Sequence, residues 1–243
     1  MRTERKIALI FGGAGGIGLA TAKTLAADGY RVYAGFNRNV AALARLEEVG
    51  ATPVKIDVTS RAEVECAINR ILTEENKLDV VVYSVSSPLK YKPVFSLDWS
   101  DFQGHLETQL QGFFHVVMAL RPAIEKGDRI TLVVVLTDTC LQKPPRRMAH
   151  YVAAKYALMG FVKSLVSELS KTRCTLNMVS PGLVETDLIS NLPAKARELE
   201  AQNNPMRRLA EPEDVARVIG FLASEDSDYL NGVNIPVNGG NIL

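Results

Sequence analysis

Phe11-Gly12-Gly13-Ala14-Gly15-Gly16-Ile17-Gly18 is the stretch that decides how this sequence folds. An apolar run, Lys6–Phe11, leads into it, and an alanine-rich helical pattern, Leu19–Asp28, follows. Glycines at 12, 16 and 18 let the chain turn tightly around Ile17 and bring backbone N–H groups close to a pyrophosphate. The amino terminus of the following helix adds its partial positive charge. On its own a glycine-rich loop marks only a flexible turn. Set between a strand and a helix, it marks a dinucleotide cradle.

Outward from the loop, β-rich runs alternate with longer helical patterns. Further strands are expected at Arg31–Gly35, Pro53–Ile56, Leu78–Tyr83, Ile130–Leu136, Cys174–Val179 and Val233–Val237. Helices are expected at Ala41–Val49, Ala62–Asn76, Asp101–Ile124 and Tyr151–Ser170. Val80-Val81-Val82 and Leu132-Val133-Val134-Val135 are apolar on both faces, the pattern of parallel strands covered by helices on each side. The expected architecture is α/β, a single-domain Rossmann-type doubly wound parallel sheet with helices on both faces, over residues 1–243.

Composition narrows the classes. Of 243 residues, 47% are hydrophobic and 23% charged, which is globular usage. A net charge of +1 gives no electrostatic reason to expect a nucleic-acid partner. The run Ile7–Phe11 is too short to span a membrane, and glycines follow where a signal peptide needs more apolar length. Cys66, Cys140 and Cys174 are scattered without metal-ligand spacing, so no metal site is expected; their odd number suits reduced thiols in the cytoplasm.

After the second strand comes Gly35-Phe36-Asn37-Arg38, with no carboxylate to accept from both ribose hydroxyls of NAD(H). Arg38, beside Asn37, instead suits a 2′-phosphate through its charge and planar fork. NADP(H) is therefore expected over NAD(H). A surface arginine in a loop is the plain alternative.

With these features in place, the sequence resembles the short-chain dehydrogenase/reductase family over essentially its whole length. The glycine loop is similar to the family's TGxxxGxG, with Phe11 where threonine is usual. Asp57-Val58 looks like the adenine contact after the third strand. Tyr151-Val152-Ala153-Ala154-Lys155 looks like the YxxxK motif, and Ser180-Pro181-Gly182-Leu183-Val184-Glu185-Thr186 like the nicotinamide-side loop carrying Gly182, Val184 and Thr186. Asn238-Gly239-Gly240 matches the carboxy-terminal signature. The segment from Pro205 to Ala216 is most similar to the 3-oxoacyl-carrier-protein reductases. The resemblance implies Tyr151 as acid and Lys155 as its modulator and a donor to the nicotinamide ribose. Physically, positions 151 and 155 share one helix face. An ammonium there stabilises the anion of a phenol whose ordinary pKa is near ~10.

Three positions depart from the family pattern. The family serine, thirteen residues before the tyrosine, is Asp138 here, between Thr137 and Thr139. An ionised aspartate cannot donate to a substrate oxygen, whereas a protonated one can. Gln109 stands where asparagine anchors a water relay behind the lysine. Tyr83-Ser84-Val85-Ser86 replaces Asn-Asn-Ala-Gly, and a side chain at 86 narrows the space beside the cofactor. Tyr83-Ser84-Val85 also faintly resembles the enoyl-carrier-protein reductases. That branch spaces tyrosine and lysine by six residues, which would require a tyrosine at Met148's place in the chain.

Three functions remain open at this point. The first is an NADPH-dependent carbonyl reductase, plausibly of a 3-oxoacyl thioester, with Tyr151, Lys155, Asp138 and Gln109 as an altered catalytic set and Thr137 or Thr139 as alternative donors. The second is a catalytically weak subunit supporting an active paralogue. The third is a dehydratase or isomerase using Asp138 as base. The substrate is expected to be a small molecule or an acyl-carrier-bound group; the resemblance implies Arg129 and Arg173 as carrier-docking charges, and Lys143, Arg146 and Arg147 add charge to a mouth loop. A homo- or hetero-oligomer with a family member is expected from the apolar helices 101–124 and 151–170. His105, His115 and His150 lack partner spacing and read as structural; Trp99 and Phe102 read as packing.

Overall fold

The glycine loop joins β1 (Ile7–Phe11) to α1 (Gly16–Ala27) in the computed structural model, which describes residues 5–241. The chain continues through β2 (Arg31–Phe36), α2 (Leu43–Glu48), β3 (Ala51–Lys55), α3 (Arg61–Glu75) and β4 (Val80–Tyr83). It then forms α4 (Trp99–Leu106), a π-helical turn at Glu107–Gln111, α5 (Gly112–Lys126), β5 (Thr131–Val135) and α6 (Ala149–Glu168). Finally come β6 (Thr175–Pro181), α7 (Ala194–Asn203), α8 (Pro212–Ala223) and β7 (Asn234–Val237).

All seven strands are parallel, in the order β3-β2-β1-β4-β5-β6-β7. This is a doubly wound sheet, with the strand order reversing between β1 and β4. Ligand sites of such sheets lie at the carboxyl ends of the strands at that switch. One face packs Leu9, Phe11, Val81, Tyr83, Leu132 and Val134 against α3, α5 and α6. The other packs Ala8, Ile10, Val80, Val82, Val133 and Val135 against α1 and α8. Alternation along each strand thus feeds two cores, as fully buried parallel strands require.

Local signals set the element ends. Ser60 caps α3 by accepting from Glu63 N, and Asn76 closes it in the left-handed region at φ 58°. Gly127, at φ 91°, closes α5. The expected single helix 101–124 is instead two helices joined by the π turn, because a widened turn adds no change in apolar period for the sequence to display. Helices α7 and α8 were not among the expected elements. α8 has a clear start, with Pro212 at its first turn and a Glu211/Asp214 capping box.

Candidate active site

The cradle forms where β1 meets α1. Gly12 has φ 79°, and a Cβ there would strike the Ser84 carbonyl. A Cβ at Gly18 would strike the Gly12 carbonyl. Only glycine fits at either place, so the loop turns tightly between β1 and α1 at the carboxyl end of the sheet. Gly16 lies against Thr186, whose methyl would sit 2.5 Å from an added Cβ, so the loop after β6 packs onto the start of α1. Val184 is buried and bridges to Ala210, and Gly182 N donates to Val237 O at 3.0 Å. Ile17 packs against the α1 core.

At the end of β3, Asp57 accepts from Thr59 N (2.9 Å) and Thr59 Oγ1 (2.7 Å). Burial works to raise its carboxyl, but the bonds from Thr59 and Asn37 and the charge of Lys55 outweigh it and hold the group below the usual range. Val58 is buried and its carbonyl meets His115 Nδ1 at 3.0 Å. Arg38 is exposed and makes no ion pair among the described residues.

The Tyr151–Lys155 pair is carried on α6. Tyr151 and Lys155 lie on one face, 6% and 3% exposed, with the lysine Nζ 5.9 Å from the tyrosine ring centre. Lys155 donates to Val135 O at 2.8 Å; burial lowers its pKa to about 8. Burial pushes the Tyr151 phenol up, and a hydrogen bond with Thr137 pulls the other way. Leu89, Met148 and Val152, with Tyr91 and Leu188, form an apolar roof over the tyrosine.

Thr137 and Asp138 sit side by side but point apart. Thr137 reaches Tyr151, whereas Asp138 turns toward the carboxy-terminal loop. There its Oδ2 accepts from Gln142 Nε2 (3.0 Å) and Asn238 Nδ2 (3.4 Å). Burial raises the Asp138 carboxyl, and those amides partly offset the effect. The aspartate occupies the serine's place in sequence, and Thr137 occupies the place beside the phenol.

Gln109 is fully buried on the π turn, with its Nε2 3.2 Å from His105 Nδ1 and its Oε1 unpaired. His105 and His150 were not expected here. Packing of α4 on α6 stacks their rings edge-on at 4.9 Å, with His105 5.8 Å from the Tyr151 ring. Burial lowers His105 to about 4 and lowers His150 as well, so both are neutral at pH 7. Read as structural from the sequence, the two pack together beside the tyrosine ring, a contact their spacing does not display. Trp99 stacks on Phe102 yet is 70% exposed, so it is surface rather than core.

A family model described as enoyl-(acyl carrier protein) reductase matches residues 12–241. The chain belongs to the short-chain dehydrogenase/reductase family, a family of oxidoreductases. Among its relatives, the 3-oxoacyl-[acyl-carrier-protein] reductase FabG of Thermotoga maritima is 31% identical over 100% of both chains. FabG of Escherichia coli K12 is 31% identical, covering 99% of this chain and 98% of its own. MabA of Mycobacterium tuberculosis H37Rv, another 3-oxoacyl-[acyl-carrier-protein] reductase, is 30% identical over 96% and 91%. The crystal structure of gox2181 superposes with a TM-score of 0.91 at 25% identity, covering 99% of this chain and 96% of that one. Thermoplasma acidophilum aldohexose dehydrogenase shares the fold, with a TM-score of 0.87. Among the described residues no helix is long and apolar enough to cross a membrane.

Proposed function

We propose that the protein is an NADPH-dependent reductase of a 3-oxoacyl thioester. The observation that carries this reading is the grouping of Thr137, Tyr151 and buried Lys155 below an apolar roof, at the switch-point end of a glycine cradle. The relatives named above act, by name, on 3-oxoacyl-carrier substrates, which supports the substrate class.

NADPH, held by Gly12, Gly16, Ile17, Gly18, Asn37, Arg38, Asp57, Val58, Lys155, Gly182, Val184 and Thr186, would supply the hydride. Tyr151 holds a proton at Oη and gives it to the substrate oxygen. Lys155 carries its charge in a site without a paired carboxylate and stabilises the phenolate left behind. Thr137 donates to the oxygen on which charge develops, the task a serine performs in the family pattern. Asp138, bound to Gln142 and Asn238, positions the carboxy-terminal loop and takes no proton from substrate; this direction argues against the dehydratase or isomerase reading. Gln109, through His105, backs the wall behind the tyrosine. The roof of Leu89, Met148, Val152 and Leu188 suits an acyl chain.

A supporting role beside an active paralogue is the second reading, favoured by Asp138 and Gln109 standing where the family pattern has serine and asparagine. An oligomer, homo- or hetero-, forms through the apolar groove of Trp99, Leu106, Leu110, Phe114 and Phe161. A carrier-bound substrate would dock on exposed Lys143, Arg146 and Arg147; Arg129 is already paired with Asp228. The chain works in the cytoplasm on this reading. The test is product analysis with NADPH and a panel of 3-oxoacyl thioesters and quinones. A 3-hydroxyacyl product supports the assignment, and turnover of quinones alone removes the substrate class.

A further inference from the structure

We infer that Lys55 is a second cation of the adenosine 2′-phosphate subsite, acting with Arg38 across the ends of β2 and β3. The inference rests on the NADP(H) reading and adds to it a residue on a different strand. Parallel pairing sets Phe36 opposite Lys55, so the last residue of β3 lies beside the point where β2 runs into Asn37 and Arg38. Lys55 is exposed, and its Nζ is 3.1 Å from Asn37 Oδ1. No carboxylate lies within ion-pair distance of Lys55 or Arg38 among the described residues.

The neighbouring carboxylate, Asp57, is already bound by Thr59 and by the Asn37 amide. Asn37 therefore acts as a bracket: its nitrogen faces Asp57 and its oxygen holds Lys55, which keeps the ammonium from collapsing onto the aspartate. A neutral amide oxygen is a weak partner for an ammonium. A doubly charged phosphate placed between Lys55 and Arg38 gains charge-assisted hydrogen bonds that the resting side chains do not make. Arg38 would present its fork and Lys55 a point charge, complementary ways of meeting three phosphate oxygens.

Equilibrium titration of the full chain with NADPH, NADH, 2′,5′-ADP and 5′-AMP tests this, with unfolding temperature as a fold check. Lys55→Gln is expected to weaken NADPH and 2′,5′-ADP about tenfold while leaving NADH and 5′-AMP within about twofold, the size of one partly screened phosphate contact. Lys55→Arg should restore binding, and the loss should shrink as salt rises. Unchanged NADPH affinity in Lys55→Gln, alongside selective loss in Arg38→Ala, would overturn the inference and leave the cofactor reading standing. Equal loss of NADPH and NADH would also overturn it. Wild-type protein that binds both dinucleotides equally would remove the cofactor reading and Lys55's role together.

Discussion

The hydroxyl of Tyr83, at the end of β4, donates to the backbone carbonyl of Thr108 on the π turn that carries Gln109. A widened turn leaves carbonyl oxygens open to outside donors, and here a side chain from the neighbouring strand supplies one. Ser87 adds a second tie, donating to Thr108 Oγ1 at 2.7 Å. Opposite the tyrosine stands Gly112, where an added Cβ would strike the Tyr83 hydroxyl. The altered strand end and the altered helix position thus form one packed unit.

Tyr83→Phe removes the donor to a buried carbonyl and should cost about 1–2 kcal/mol in urea unfolding. Gly112→Ala should be strongly destabilising alone and clearly less so in the Tyr83→Phe background, where the hydroxyl it meets is gone. A double-mutant cycle measures this coupling. Additive losses would show that the two residues do not share the space.

Thr137→Val should lower kcat by roughly 10²–10³-fold with little change in KM, the effect of losing one donor to developing charge. Thr137→Ser should keep most activity. Asp138→Ser and Asp138→Asn should remain active, since the carboxylate faces Asn238 and Gln142. Steady-state kinetics check both. Activity that survives Thr137→Val and vanishes in Asp138→Asn would return the chemistry to the aspartate.

Lys155 makes stability depend on pH in the alkaline range. The folded protein releases this proton near pH 8 and the unfolded chain near 10.5. Below pH 8 both states hold it, and the burial cost falls fully on the folded state. Between those values only the unfolded chain holds it, so the lysine's contribution makes stability rise with pH. Lys155→Met should abolish that rise and stabilise the apo protein at pH 7 by roughly 2 kcal/mol, after the loss of the bond to Val135 O. Urea unfolding between pH 7 and 10.5 measures it; identical slopes in both proteins would exclude a burial-lowered lysine.

The groove along α4 and α5 exposes Trp99 at 70% and Phe114 at 44%, large apolar surfaces for a free monomer. Light scattering of Trp99→Glu/Phe114→Glu should show a smaller species than wild type. Equal masses would place the interface elsewhere.

The sheet was legible because parallel strands buried on both faces read as continuous apolar runs, and the glycine loop because its spacing is local. Tyr151 and Lys155 share a helix turn, so their proximity follows from sequence. The His105–His150 contact does not, since it arises only when α4 packs on α6. Nor does the placing of Thr137 beside Tyr151: which side chain meets the tyrosine depends on the backbone direction leaving β5, whereas the family spacing falls on Asp138. The π turn leaves no period of its own.

On the proposed function, Tyr151 delivers a proton during NADPH-dependent reduction of a 3-oxoacyl thioester. The most direct measurement is NADPH oxidation against 3-hydroxyacyl product, in wild type and Tyr151→Phe purified without any paralogue. One product per NADPH is expected in wild type, with a loss of at least about 10²-fold in kcat for the variant. Product formation undiminished in Tyr151→Phe, or none from wild type until another family member is added, would contradict it.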